Sequence, residues 1–397
     1  MNTTQRPQIV VLGGGYAGTM AANRLSGAVR DGLADVLLVN PRPRFVHRIR
    51  LHQWVSGTGT AQEEFATVLA EGIELVVDTA TRIDVAAGQV ELGSGATLAY
   101  DHLVYAVGST GTPPTAIPGA AEHGFVLGEW EQAQRLRDHL ASTDRRGSVT
   151  VIGGGLTGME MAAELAETGS TVRLVCRGTV APSFGARARR VARRRLQRLG
   201  VEIIEDHRVT EVGSDTVTVV ADGRARVLPS ATTVVAAGFG VPALAAASGL
   251  STDPLGRLLT DETLSSVDDP RIIGAGDAVA PSGAPFRMSC QAANQLGPHA
   301  ADTVLAKLAG DEPSPVRVSF VGQCTSLGRH GATVQLTRRD DTPTRAVISG
   351  RTGAAIKELV CRSVIWGLRM EARKPGATPS FGQPRDMGTT QPVGVLR

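Results

Sequence analysis

Apolar residues along this chain fall into two rhythms, and each change of rhythm marks an element. Short aliphatic runs read as buried strands at Gln8–Leu12, Asp35–Asn40, 103–110 (LVYAVGST, ending at Gly108), Ser148–Ile152, 171–178, 232–237 and 271–280. Apolar positions three and four apart read as helices over 16–26, 125–140, 186–199, 288–308 and 354–370. Shorter strands are expected at 73–77, 82–84, 89–92, 201–204, 209–212 and 216–220, with Gly93-Ser94-Gly95 as a turn. Alternation in VRVSF and ATVQL, within 316–350, predicts an antiparallel C-terminal sheet. Pro113, Pro114 and Pro118 mark a crossover out of the first domain, and the final ~20 residues read as loose.

Two of the strand-to-helix switches carry the same glycine spacing. Gly13, Gly15 and Gly18 follow the first strand, and Gly153, Gly155 and Gly158 follow the strand at 148–152. The order strand, glycine turn, helix has a chemical purpose: the chain turns where a side chain would clash, and a helix N-terminus then faces a pyrophosphate. One copy is a weak signal, but two copies point to two nucleotides.

The residue ending the next strand usually accepts hydrogen bonds from a ribose, and a carboxylate is usual there. Here the two positions hold Asn40 and Cys176. Arg177 beside Cys176 favours a 2′-phosphate, hence NADPH over NADH; the alternative is an arginine that is simply exposed. Residues 41–58 are basic, with Arg42, Arg44, Arg48 and Arg50 plus His47 and His52. They either lie along a cofactor or substrate, or form a solvated connection whose arginines cap helix ends. Each histidine is a candidate base or a structural residue. The Gly276-Asp277 turn ending the run at 271–280 positions an acid for sugar or ribitol hydroxyls, or for capping the next helix.

Composition narrows these readings. The 397 residues include 47 glycines and 4% aromatics, and carry a net charge of +3, which fits α/β domains with tight turns. Seven arginines crowd the helix at 186–199, whose other face is apolar. The basic face is either solvated or meets a phosphate or an acidic partner. No aromatics interleave there to stack bases, so nucleic acid is not expected. Cys176, Cys290, Cys324 and Cys361 lie far apart, which excludes zinc and iron–sulfur spacings and a dithiol relay, and no metal is expected. Residues 231–250 are uncharged but interrupted by Gly238, Gly240 and Pro242, unlike a membrane span. A polar start without a signal sequence leads us to expect a cytoplasmic protein.

Taken in order, GGGYAG, LVYAVGS, GGGLTGME, VVAAGFG and IIGAGDA resemble the two-dinucleotide-binding flavoproteins of the pyridine nucleotide–disulfide oxidoreductase superfamily. The resemblance covers roughly residues 8–310. It implies an α/β fold of two Rossmann-like three-layer domains, one inserted in the other, plus a small C-terminal α+β domain. The implied divisions are an FAD-binding domain at 1–118 and 251–314, an NAD(P)H-binding domain at 119–250, and the C-terminal domain at 315–397. FAD would be held by Gly13, Gly15, Tyr16, Ala17, Gly18, Asn40, Arg48, Ala106, Gly108, Gly276 and Asp277. NADPH or NADH would be held by Gly153, Gly155, Gly158, Arg177 and Gly238, with Glu160 near the nicotinamide.

The branch is similar to type II NADH dehydrogenases and apoptosis-inducing-factor-like reductases. It has no redox cysteine pair after the first helix, and TGMEMAAEL matches their pattern. CQAANQ at 290–295 resembles their quinone-site segment, so Gln291 and Gln295 would line the acceptor or the flavin edge. The departures are Asn40, Cys176 and a single, short C-terminal helix bearing Lys357, Glu358, Arg362 and Arg369. Trp366 and Ile365 on that helix would serve dimer or domain packing, or dip into a membrane interface. The expected activity is hydride transfer from NAD(P)H to FAD, then electron transfer to a quinone or other small acceptor. The alternatives are reduction of an acidic carrier protein, a biosynthetic oxidation, and slow-turnover redox sensing.

Overall fold

The computed structural model describes residues 6–111, 116–143 and 147–378. Two five-stranded parallel sheets form its frame. The first runs Ile272–Gly274, His102–Tyr105, Gln8–Leu12, Asp35–Asn40, Glu74–Val77 across the sheet. The second runs Gly124–Val126, Thr232–Val235, Ser148–Ile152, Thr171–Val175, Glu202–Ile204. Each central strand is buried on both faces past its first residue, because helices cover one side and a small antiparallel sheet the other. The first sheet draws its last strand from beyond residue 270, so the second unit is inserted within the first.

The C-terminal unit is an antiparallel sheet, Gly322–Ser326, Ala332–Thr337 and Pro343–Ser349, followed by the helix Gly350–Arg373. That helix runs about a turn past the expected 354–370 at its N-terminal end. Gly350 and Gly353 allow this; a Cβ at Gly353 would sit 2.8 Å from the Ala332 carbonyl oxygen. Buried Asn23 ties the helix to the first domain. Its amide donates to the carbonyls of Val68 (2.8 Å) and Leu368 (3.0 Å), and its oxygen accepts from Ala70 N (2.8 Å).

Two expectations fail locally. The stretch 125–140 is not helical throughout: Gly124–Val126 is an edge strand, and the helix spans Trp130–Ser142. Gly124 packs where a Cβ would meet the Ala120 carbonyl oxygen at 2.5 Å and Val235 Cγ2 at 2.9 Å, and ladder bonds to Thr233–Val235 outweigh helix propensity there. Arg224–Pro229 forms a strand that hydrophobic patterning missed, since only Leu228 is buried. The expected crossover prolines 113 and 114, and most of the loose tail, lie outside the described residues.

Residues 41–58, expected to lie along a cofactor or substrate or to form a solvated connection, form a strand (Arg44–Val46), a helical turn and a helix (Leu51–Ser56) wedged between the two nucleotide units. Trp54 stacks on Trp130 with centroids 4.9 Å apart, and the Arg137 guanidinium lies 3.8 Å from the Trp54 ring centroid. Arg42 Nε donates to Glu131 Oε1 at 2.7 Å. A second bridge joins the two crossover segments: Thr110 and Gly240 exchange backbone hydrogen bonds of 2.8 and 3.0 Å.

Candidate functional site: two nucleotide cradles and the charged junction between them

The two glycine turns are built alike. Gly13 N donates to Val39 O (2.8 Å) and Gly153 N to Val175 O (2.9 Å), closing each turn onto its neighbouring strand. Both first glycines have positive φ, +101° and +121°, and a Cβ there would lie 2.4 Å from Ala106 O or 2.6 Å from Ala236 O. A Cβ at Gly18 or Gly158 would sit within 2 Å of the carbonyl oxygen of Gly13 or Gly153. The middle glycines, Gly15 and Gly155, have no protein atom within 4 Å of a notional Cβ. Each helix N-terminus therefore faces open space with its amides unobstructed. That cradle suits a pyrophosphate, and no side chain of either turn blocks it.

The units differ at the next strand's end. Asn40 Oδ1 accepts from Gly14 N at 2.9 Å, and its Nδ2 donates to Arg42 O at 2.7 Å. Cys176 meets Gly154 instead: a Cβ there would lie 2.6 Å from the sulfur. Burial pushes the Cys176 thiol up to about 12, so it stays protonated. Arg177 is exposed beside it. The first cradle carries further support. Ser109 Oγ donates to Asp277 Oδ2 (2.7 Å), Ser289 N donates to Asp277 Oδ1 (3.1 Å), and Arg48 Nη1 donates to Ser109 O (2.7 Å). Asp277 is thus not the cap of the following helix; Ser289 caps Cys290–Ala309 by accepting from Ala292 N at 3.2 Å. Gly276 and Gly297 keep that helix close to the first one, where a Cβ on Gly297 would approach Ala17 O to 2.2 Å. Gly108 and Gly238 take equivalent places past His102–Tyr105 and Thr232–Val235, the strands beside the central ones, with φ of +71° and +84°.

Between the cradles lies a buried cluster of charge. Glu160 Oε1 pairs with Lys357 Nζ at 2.9 Å and accepts from Ser326 N at 3.1 Å. His52 stands with Nδ1 3.6 Å from Glu160 Oε2 and Nε2 3.0 Å from Ser326 Oγ. Burial opposes ionisation of Glu160, but the Lys357 ammonium and the Ser326 N–H more than compensate and hold the carboxyl below its ordinary range. Burial likewise opposes the charge on Lys357, yet Glu160 raises its pKa, so the pair is ionic at neutral pH. Burial lowers His52 to about 4 and His47 to about 3, leaving both imidazoles neutral. His47 is fully engaged: Nδ1 lies 3.0 Å from the Tyr16 hydroxyl and Nε2 3.1 Å from the Cys361 carbonyl. An Nε2–H tautomer satisfies both contacts.

Gln291 and Gln295 clasp the chain entering the C-terminal sheet. Gln295 Nε2 donates to Ser319 O and its oxygen accepts from Ser319 N, both at 2.9 Å. Gln291 donates to Gly322 O (3.1 Å) and accepts from Val321 N (3.0 Å). Sequence reasoning missed Ser109, Ser289 and Ser326, and named Lys357 only among the charges of the C-terminal helix. The available signal for Lys357 was its spacing: it falls in register with Gly353, Cys361, Val364 and Leu368 on the helix's buried face.

Paired dinucleotide cradles, one inserted in the other's domain, define a class of pyridine-nucleotide oxidoreductases. The chain belongs to the pyridine nucleotide–disulphide oxidoreductase family, whose model matches residues 7–299. FAD and NAD(P)H are its cofactors. Among relatives, it is 32% identical to an NADH dehydrogenase-like protein of Mycobacterium tuberculosis, over 82% of this chain and 86% of that one. It is 28% identical to the demethylphylloquinone reductase NdbB of Synechocystis, over 83% and 87% of the two chains. The fold matches that of Plasmodium falciparum NDH2, solved in complex with NADH, with a TM-score of 0.78 at 16% identity over 93% and 97% of the chains.

Proposed function

We propose that this protein oxidises NADPH, or NADH, and passes the electrons through FAD to a quinone. The observation that carries this reading is the ionic Lys357–Glu160 pair, buried where the two cradles and the C-terminal helix converge. FAD in the first cradle supplies the two-electron relay. The chain supplies the rest. Backbone amides after Gly13 and Gly153 meet the phosphates. Asp277, fixed by Ser109 and Ser289, offers carboxylate lone pairs to ribitol hydroxyls while Arg48 holds Ser109 in place. Lys357 keeps a proton on Nζ in a buried site, and Glu160 keeps that ammonium charged; with FAD bound, this fixed positive charge would be available to stabilise negative charge nearby. The Lys357 charge also reaches the Cys290 thiol at the start of the helix Cys290–Ala309, beside Asp277.

The missing carboxylate at Cys176 and the exposed Arg177 support NADPH over NADH, because a 2′-phosphate meets a guanidinium rather than an acid. Similarity to NADH dehydrogenase-like and quinone-reductase relatives supports a quinone acceptor. The test is anaerobic double mixing: protein reduced by NADPH, then mixed with a quinone, returns to its oxidised yellow form within turnover time. A reduced flavin indifferent to every quinone rejects this reading.

One observation favours a second reading, reduction of an acidic carrier protein. On the helix Ala186–Arg198, Arg187, Arg190, Arg194 and Arg198 lie exposed along one stripe, and none forms an ion pair with a described residue. A rate with an acidic carrier that collapses as salt rises would support it.

A further inference from the structure

We propose that the cleft between residues 47–63 and the C-terminal helix selects an anionic quinone, a ring carrying a carboxylate or sulfonate, over an uncharged one. This rests on the quinone reading above and names the acceptor's chemical class.

The cleft encloses about 600 Å³ and opens to solvent. Its walls carry four guanidiniums, Arg50, Arg329, Arg362 and Arg369, against two carboxylates, Glu63 and Glu358. Two arginines share one acid: Glu358 Oε1 accepts from Arg50 Nη2 at 2.9 Å and from Arg362 Nε at 2.7 Å. Arg369 pairs with Glu63 at 3.0 Å. Arg329 comes no closer than 3.8 Å to Glu164, whose Oε1 is buried without a hydrogen-bond partner. The walls therefore hold surplus positive charge and guanidinium N–H donors left over after pairing. An anion that reaches them gains charge-assisted bonds, while a neutral ring gains none.

The apolar part of the same cleft suits the ring itself. Trp366 is 64% exposed and Ile365 lies beside it on the helix. The inner wall is formed by Cys361 and His47, and His47 touches the Tyr16 hydroxyl at the N-terminus of the first helix. The cleft thus opens to solvent and backs onto a residue that touches the first cradle's helix; its lining is mainly polar and cationic, with Cys361, Ile365 and Trp366 as the apolar surface for a ring. The reaction balances as NAD(P)H plus a proton plus quinone giving NAD(P)⁺ plus hydroquinone; the anionic substituent is unchanged.

The holoenzyme is assayed with a sulfonated naphthoquinone and with an uncharged naphthoquinone of matched potential, at low and high salt. At low salt the sulfonate is expected to show kcat/KM about tenfold higher, an advantage that shrinks as salt screens the arginines. In the double variant Arg362→Gln/Arg369→Gln the ratio of the two quinones falls towards one. Binding is read separately by calorimetry with a redox-inert hydroxynaphthoate, whose Kd should rise about tenfold in the double variant. Both substituted side chains lie at the surface, and flavin content and melting temperature verify folding. Equal kcat/KM for the two quinones, or a ratio that ignores both salt and the double variant, overturns the proposal. Turnover of the neutral quinone without preference for the anion overturns it while leaving the quinone reading intact; failure of all quinones removes both.

Discussion

The two nucleotide units use one backbone device and differ in what surrounds it. Their turns match hydrogen bond for hydrogen bond: Gly13 on Val39 and Gly153 on Val175, with Ala106 N donating to Leu12 O and Ala236 N to Ile152 O at 2.9 and 2.8 Å. Glycine is required at the same places by the same carbonyl oxygens. Identity enters only one strand later and beyond. The first unit has an amide, Asn40, that braces its own turn, and a borrowed carboxylate, Asp277, held by two serines. The second has a packed thiol, Cys176, and an exposed arginine. A glycine motif therefore shapes a cradle suited to a pyrophosphate, and the residues beyond it set the two cradles apart.

The largest test of this comparison breaks each turn in turn. Gly13→Val forces a β-branched residue into positive φ against Ala106 O, and should yield protein without flavin. Gly153→Val should keep the yellow colour but lose reduction by NAD(P)H, with KM raised at least about tenfold. Absorbance spectra of the two purified variants decide it; equal flavin loss in both would dissolve the division of labour.

The junction is next. Lys357→Met strands the Glu160 carboxylate in the interior and should cost about 3 kcal/mol, read as a lower melting temperature. The partner variant Glu160→Gln should soften that loss when combined with it. His52 and His47 give a matching pH effect. Both are neutral in the fold, with pKa about 4 and about 3, against an unfolded value near 6.5. The unfolded chain binds more protons between those values, so stability falls as pH drops below about 6.5, by roughly 1.4 kcal/mol per pH unit for each histidine. Denaturant titrations from pH 7 to 4 should show this acid limb, and His52→Gln should make it shallower.

A smaller effect sharpens the second unit. Arg177→Ala should reduce the NADPH-over-NADH preference about tenfold, as expected for one phosphate contact. Unchanged affinity for NADPH, measured by fluorescence titration, would count against a 2′-phosphate there. The smallest concerns the strand ends. Asn40→Ala leaves the Gly14 amide without its 2.9 Å partner and should cost about 1–2 kcal/mol in stability, whereas Cys176→Ala removes only packing and should cost about 1 kcal/mol.

Much of this was legible in the chain. Strand, turn and helix are local signals, so both glycine turns, the strand leading into Asp277 and the C-terminal sheet could be read from periodicity. The strand Gly124–Val126 could not, because its pairing partner lies about a hundred residues on and its own sequence runs into a helical pattern. Lys357 could be placed only among the charges of the C-terminal helix, because its burial depends on Glu160, which comes from the inserted domain. Gln291 and Gln295 were expected to line the acceptor or the flavin edge; their amides also grip the backbone at 319–322, a contact no spacing rule encodes.

The central claim is that two separate cradles feed one flavin. Anaerobic titration of the purified protein tests it most directly. The account predicts a yellow protein bleached by about one equivalent of NADPH or NADH, with the same flavin left unbleached in Gly153→Val. A colourless preparation, or a flavin that neither nucleotide reduces, would contradict it.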